Sequence, residues 1–228
     1  MAVVARAPQA RASSKRAVGT SSRSKREDIL TAAADHFGRQ GYEDTKWADI
    51  AADVGVGSTA LYHYFESKLH CLFEIMLDTL SSFRTVFDDV TRSHERFEDG
   101  FIALLHANFD LTEAEVARCR ALVAEQGRLS QPRNTEREEE ARQRARSRVR
   151  ELETAWSNYL SRGMATGAIP EADPQLLTSA VLGLYNSVWH WYRPRGSLSL
   201  ADVDAFFVPR MLSIVGFEPV ELRKVAAA

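Results

Sequence analysis

Ser58, Thr59, Tyr62, His63 and Tyr64 fall within seven positions of one another, with Thr45 and Lys46 ahead of them and Lys68 behind. Hydroxyl, imidazole and ammonium groups at this density can donate to phosphate oxygens or meet base edges. They do not make a catalytic set. The chain has no H-E-x-x-H, no Gly-x-Ser-x-Gly and no glycine-rich phosphate loop between a strand and a helix, so an enzyme is not expected. Cys71 and Cys119 stand alone, which supports neither a disulfide framework nor a metal knuckle. No metal and no cofactor are expected.

A second group of residues could line an apolar pocket: Phe83, Phe87, Phe101, Leu105, Phe109, Trp156, Tyr185 and Trp189, with His106 and Asn186 as polar groups among them. Apolar walls with a few placed polar groups suit a small molecule. The same spacing also describes an ordinary helical core, with His106 and Asn186 satisfied by main-chain carbonyls.

The formal net charge of −2 conceals an asymmetry. Residues 1–26 carry Arg6, Arg11, Lys15, Arg16, Arg23, Lys25 and Arg26 and no acid, leaving 22 basic and 31 acidic residues for the rest. A basic arm ahead of an acidic body turns its amino-terminal end toward a polyanion. Its Ala, Ser and Arg content equally fits a solvated, disordered tail. No apolar run reaches the roughly 18 residues that a membrane span needs, and no secretory signal core is present. A cytoplasmic protein without a membrane partner is expected.

The elements that must position these groups read as helices throughout, so the expected fold class is all-α. Ser24 with Glu27 predicts a capping box for a first helix that carries Ile29, Leu30, Ala33 and Phe37 inward and stops at Gly41. Thr45 predicts the cap of a second helix ending at Gly55, and a third runs from about Ser58 to Phe65. Ser67 caps a long fourth helix to about Val90. Further helices are expected near 97–111, 113–128 and 135–166. Asp173-Pro174 starts another to about Tyr192, and Ser199 with Asp202 a last one to Val215, kinked at Pro209. The expected division is a disordered arm at 1–23, a helix-turn-helix domain at 24–68, a ligand-binding and dimerisation bundle at 69–218 and a tail at 219–228.

The second and third helices, separated by Gly55-Val56-Gly57, have helix-turn-helix spacing. Leu61 and Phe65 share the inward face of the third, leaving Ser58, Thr59, Tyr62, His63 and Tyr64 for the groove or its rim. Taken singly, Tyr62 and Tyr64 could instead be packing aromatics, and His63 and Lys68 plain surface.

Gly41-Tyr42, Thr45, Asp49-Ile50-Ala51, Gly55-Val56 and Leu61 through Phe65 to Ser67-Lys68 together resemble the signature of the TetR family. The resemblance implies that the third helix reads DNA, with Thr45, Tyr62, His63, Tyr64 and Lys68 at contacting positions. It further implies a homodimer, joined by the last two helices, on near-palindromic operator DNA. Gly57, Thr59-Ala60 and Lys46 depart from the usual pattern; Lys46 stands where a second hydroxyl is common, and operator sequence stays beyond reach. The segment from Trp189 to Gly196 is similar to a Trp-Tyr-Arg-Pro-x-Gly element in a subgroup tied to lipid or steroid catabolism, some members of which answer acyl-CoA thioesters. Arg193 and Arg195 could then meet CoA phosphates, or cap the end of their helix. The mixed-charge run from Glu136 to Glu153 reads as a solvated helical face. The expected function is a repressor released by a small apolar effector, against the alternative of a constitutive or activating regulator without ligand.

Overall fold

The computed structural model describes residues 18–217, with side chains from Ser24 onward. The described part of the chain runs through helices α1 (Val18–Gln40), α2 (Trp47–Asp53), α3 (Ser58–Leu61), α4 (Lys68–Ser93), α5 (Phe97–Ala107), α6 (Glu113–Glu125), α7 (Glu136–Ala165), α8 (Pro174–Trp191) and α9 (Leu200–Ile214). A short 3-10 turn, Gln126–Ser130, follows α6, and no strand occurs among the described residues.

Local chemistry sets most of the helix starts. Ser67 accepts the His70 amide at the head of α4, and Asp173 accepts from Gln175 and Leu176 with Pro174 in the first turn of α8. Thr112 with Glu115 and Ser199 with Asp202 close reciprocal capping boxes on α6 and α9.

Two expected caps are not formed. The first helix begins at Val18, so Ser24 lies inside it rather than at its start. Once the face from Ile29 to Phe37 is packed, extending the helix backwards costs only weak propensities. Helical backbone thus reaches into the segment expected to be a disordered arm; the basic residues from Arg6 to Arg16 lie outside the described residues. Thr45 does not cap α2, whose N-cap position is Lys46 with no side-chain bond. The Thr45 side chain is buried instead and donates to the Gly41 carbonyl at 2.7 Å.

The third helix is shorter than its apolar spacing suggested. After Leu61 the amides of Tyr62, His63 and Tyr64 bond three residues back, a tightened turn rather than a continued helix. Gly41 and Gly55, at φ 94° and 69°, take the left-handed turns that end α1 and α2.

Two hydrophobic clusters organise the molecule. One joins Ile29, Phe37, Ile50, Leu61 and Phe65 to Leu72, Ile75 and Met76 of α4, and includes Ala121, Ala141 and Ala145 from α6 and α7. The other packs Phe97, Phe101, Trp156, Val181, Tyr185, Val188, Trp189 and Met211. The head formed by α1–α3 therefore shares its core with the body, and the expected boundary at Lys68 falls within that core. Backbone contact reinforces the join: a Cβ at Gly38 would stand 2.5 Å from the Ala117 carbonyl oxygen, so only glycine lets α1 approach α6 this closely.

Candidate nucleic-acid interface and ligand chamber

Leu61 and Phe65 are fully buried, and Trp47 meets Phe65 and Tyr62 edge-on at 6.5 and 6.4 Å between ring centres. That packing turns the other side of α3 outward. Ser58, Thr59, Tyr62 and His63 are exposed on it, with Lys46 exposed nearby at the start of α2. Tyr62 is 55% exposed, well beyond a packing aromatic. Tyr64 is half-buried, and its carbonyl accepts from Arg137 of α7 at 3.1 Å.

Thr45 and Lys68 hold this surface from behind. The Lys68 ammonium donates to the carbonyls of Tyr42 and Thr45 at 2.6 and 2.8 Å and lies 4.2 Å from the centre of the Tyr42 ring. Burial pushes the Tyr42 phenol up to about 12, against the pull of the Arg128 guanidinium. Ser67 donates to Glu138 of α7 while capping α4.

Deeper in the same joint lies Glu74, 5% exposed, which takes Arg26 of α1 at 2.7 Å and Arg144 of α7 on its other oxygen. His70 accepts the Glu66 amide on Nδ1 and stands 3.6 Å from Glu74 through Nε2. Burial by itself would raise the Glu74 carboxyl. The His70 ring and the two guanidinium groups overcome it and hold the carboxyl at about 2. Nothing in the helical periodicity announced this three-helix ion cluster, because its members are 48 and 70 residues apart in sequence.

In the body a cavity of about 120 Å³ opens among α4–α8 and α9. Of the residues read as pocket candidates, Phe83, Phe87, Leu105, Trp156, Tyr185 and Asn186 line it. Leu104, Asn108, Gln126, Leu152, Glu153 and Val181 complete much of the wall; helical spacing marks the apolar ones only as inward-facing, and Gln126 and Glu153 are exposed residues at its rim. The other expected pocket residues lie elsewhere. Phe101, Phe109 and Trp189 are core residues whose rings are covered by their neighbours. His106 is exposed and pairs with Asp204 of α9 at 2.9 Å. Arg193 is exposed and donates to the carbonyls of His190 and Tyr192, capping α8 rather than facing the cavity. Arg195 holds Glu113 through two bonds of 3.2 Å.

A short polar-faced helix, backed by an apolar pair and joined without a linker to an all-helical body, defines a helix-turn-helix DNA-binding regulator. Residues 29–75 match the model for bacterial regulatory proteins of the tetR family, and residues 111–215 match the tetracyclin repressor-like C-terminal domain. The chain belongs to the TetR family. It is 28% identical over 197 residues to the HTH-type transcriptional repressor KstR2 of Mycolicibacterium smegmatis, covering 83% of this chain and 89% of that one. The structure of the ketosteroid transcriptional regulator KstR2 of Mycobacterium tuberculosis superposes with a TM-score of 0.68 at 26% identity, over 83% of this chain and 93% of the other. AibR, solved in complex with isovaleryl coenzyme A and operator DNA, shares the fold with a TM-score of 0.68 at 21% identity, over 82% of this chain and 97% of that chain. The protein is thus a TetR-type DNA-binding transcriptional repressor.

Proposed function

We propose that the protein acts in the cytoplasm as a homodimer on a near-palindromic operator and is released when a small apolar group enters the body cavity. The observation that carries the DNA half is the open face of α3, where Ser58, Thr59, Tyr62 and His63 stand outward over a fully buried Leu61 and Phe65. Lys46 and Tyr64 flank that face, while Thr45 and Lys68 support it from within rather than contacting DNA. The dimer reading draws on α8 and α9, which leave Leu176, Trp191, Phe206 and Ile214 exposed. An apolar face of this kind is suited to a second subunit in a four-helix arrangement.

The effector reading draws on the cavity walls. AibR binds isovaleryl coenzyme A, and a short acyl group matches an apolar chamber; the phosphates of a CoA carrier would bind outside it. A chamber of about 120 Å³ is close to one that holds a single benzene ring. This favours a compact acyl group, and its small size is also the observation that favours a regulator without ligand.

Operator duplexes selected by the full chain from a random pool test both halves. Enriched paired half-sites are expected, with binding weakened by millimolar isovaleryl-CoA or a longer acyl-CoA. Enrichment of no sequence removes the operator reading, and operator affinity indifferent to every acyl-CoA in the series leaves the ligand-free regulator.

A further inference from the structure

Arg120 of α6 is bonded in two directions. Its Nε donates to the Gly38 carbonyl of α1 at 2.7 Å, and an Nη group donates to the Tyr192 carbonyl and, at 3.4 Å, to that of Trp189. Gly38 and Trp189 lie in the last turns of α1 and α8, and Tyr192 directly follows α8; carbonyls at such ends lack an intrahelical partner. One guanidinium therefore caps α1 and α8 at once, and the negative ends of both helices favour the cation. The planar fork of arginine suits this double task; a lysine ammonium on a flexible stem does not reproduce it. The chain leaves the helical conformation at Tyr192, whose carbonyl meets Arg120. This gives the tryptophan-rich segment a role that its sequence did not disclose.

We propose that Arg120 is the positioning residue that fixes the angle of the DNA-reading head on the body. It acts through Gly38, whose backbone contact with Ala117 leaves α1 no slack against α6, and α1 carries α2 and α3 through their shared core. The inference rests on the reading of a dimer joined through α8 and α9. In such a dimer the end of α8 belongs to the fixed frame, and Arg120 passes its position to the head of the same subunit. The separation and rotation of the two heads, not the chemistry of either, then depend on this side chain.

Operator spacing tests it without any effector. The operator selected by the wild-type chain is compared by fluorescence anisotropy with duplexes carrying one base pair more or fewer at the centre, and with a single half-site. Each base pair moves the half-sites by about 3.4 Å and rotates them by roughly 35°. Wild type is expected to lose about tenfold or more on either change. In Arg120→Met and Arg120→Lys the selected operator binds about tenfold more weakly and the spacing preference falls below about threefold, while half-site affinity is unchanged. Retention of the wild-type spacing preference in either variant overturns the inference. Loss of a cooperative unfolding transition in both also overturns it, since the role is then structural. If wild type selects only single half-sites, the dimer reading fails instead.

Discussion

The Lys68 ammonium at the head of α4 lies 2.6 Å from the Tyr42 carbonyl, tying the fourth helix to the turn between α1 and α2. By position alone Lys68 reads as a phosphate ligand, yet its donors are spent on main-chain oxygens. Lys68→Met should therefore lower unfolding free energy by about 2 kcal/mol, the scale of hydrogen bonds to a charged group. Operator affinity should fall as well, with the slope of log K against log salt unchanged. Urea unfolding and a salt titration check this; a slope reduced by about one would return Lys68 to the phosphates.

Tyr62 and His63 face outward, so removing their polar atoms leaves the packing untouched. Tyr62→Phe and His63→Ala should each weaken operator binding by about 1–3 kcal/mol if they meet base edges, with stability within about 0.5 kcal/mol of wild type. Lys46→Ala should weaken selected and random duplexes alike and reduce the salt slope by about one. Anisotropy on both duplexes separates the two behaviours, and full affinity in all three variants would remove the assigned reading face.

Glu74 gives the joint between head and body a pH dependence. Its folded carboxyl sits at about 2, well below the ordinary glutamate value of 4.5, so the ionised form is favoured in the folded state. The resulting stability, roughly 3 kcal/mol, is fully present above about pH 4.5 and is lost as pH falls toward 2. Asp78, one turn on, is shifted upward by its burial and works in the opposite sense. Comparison with Glu74→Gln isolates the Glu74 contribution. The variant should be less stable than wild type by about 3 kcal/mol at pH 7, with the gap closing at low pH. Urea midpoints from pH 7 to pH 3 check it, and a constant gap would assign the effect to packing.

Signals that act over one helical turn were legible in the sequence. Ser67, Asp173-Pro174 and Ser199-Asp202 cap where their spacing places them, and the pair Leu61 and Phe65 correctly orients α3. Ser24 and Thr45 carried the same local signal and lost it to longer-range packing. At Thr45 burial turned the hydroxyl to Gly41, and at Ser24 nothing stopped the helix from extending. The pocket was half legible because aromatic spacing marks an inward face without saying which inward residues border empty space. Trp189 and Phe87 look alike in sequence, yet only Phe87 meets the cavity. The ties of Glu74 and Arg120 to α1 were out of reach, since each joins helices that only the fold brings together.

The outer face of α9 offers the sharpest test of assembly. Phe206 is 51% exposed and Ile214 41%, with Leu176 of α8 at 70%. Covering one such side chain contributes roughly 1.5–3 kcal/mol, while burying a carboxylate in its place is unfavourable. Phe206→Glu should therefore raise the dimer dissociation constant by at least about tenfold. The monomer should stay folded, because Arg210 lies 3.5 Å from the centre of the Phe206 ring and can instead pair with a carboxylate at that position. Sedimentation velocity should show the shift to monomer, and operator affinity should drop toward that of a single half-site. A variant that remains dimeric at nanomolar concentration would move the interface away from α9 and, with it, the basis for a two-headed grip on DNA.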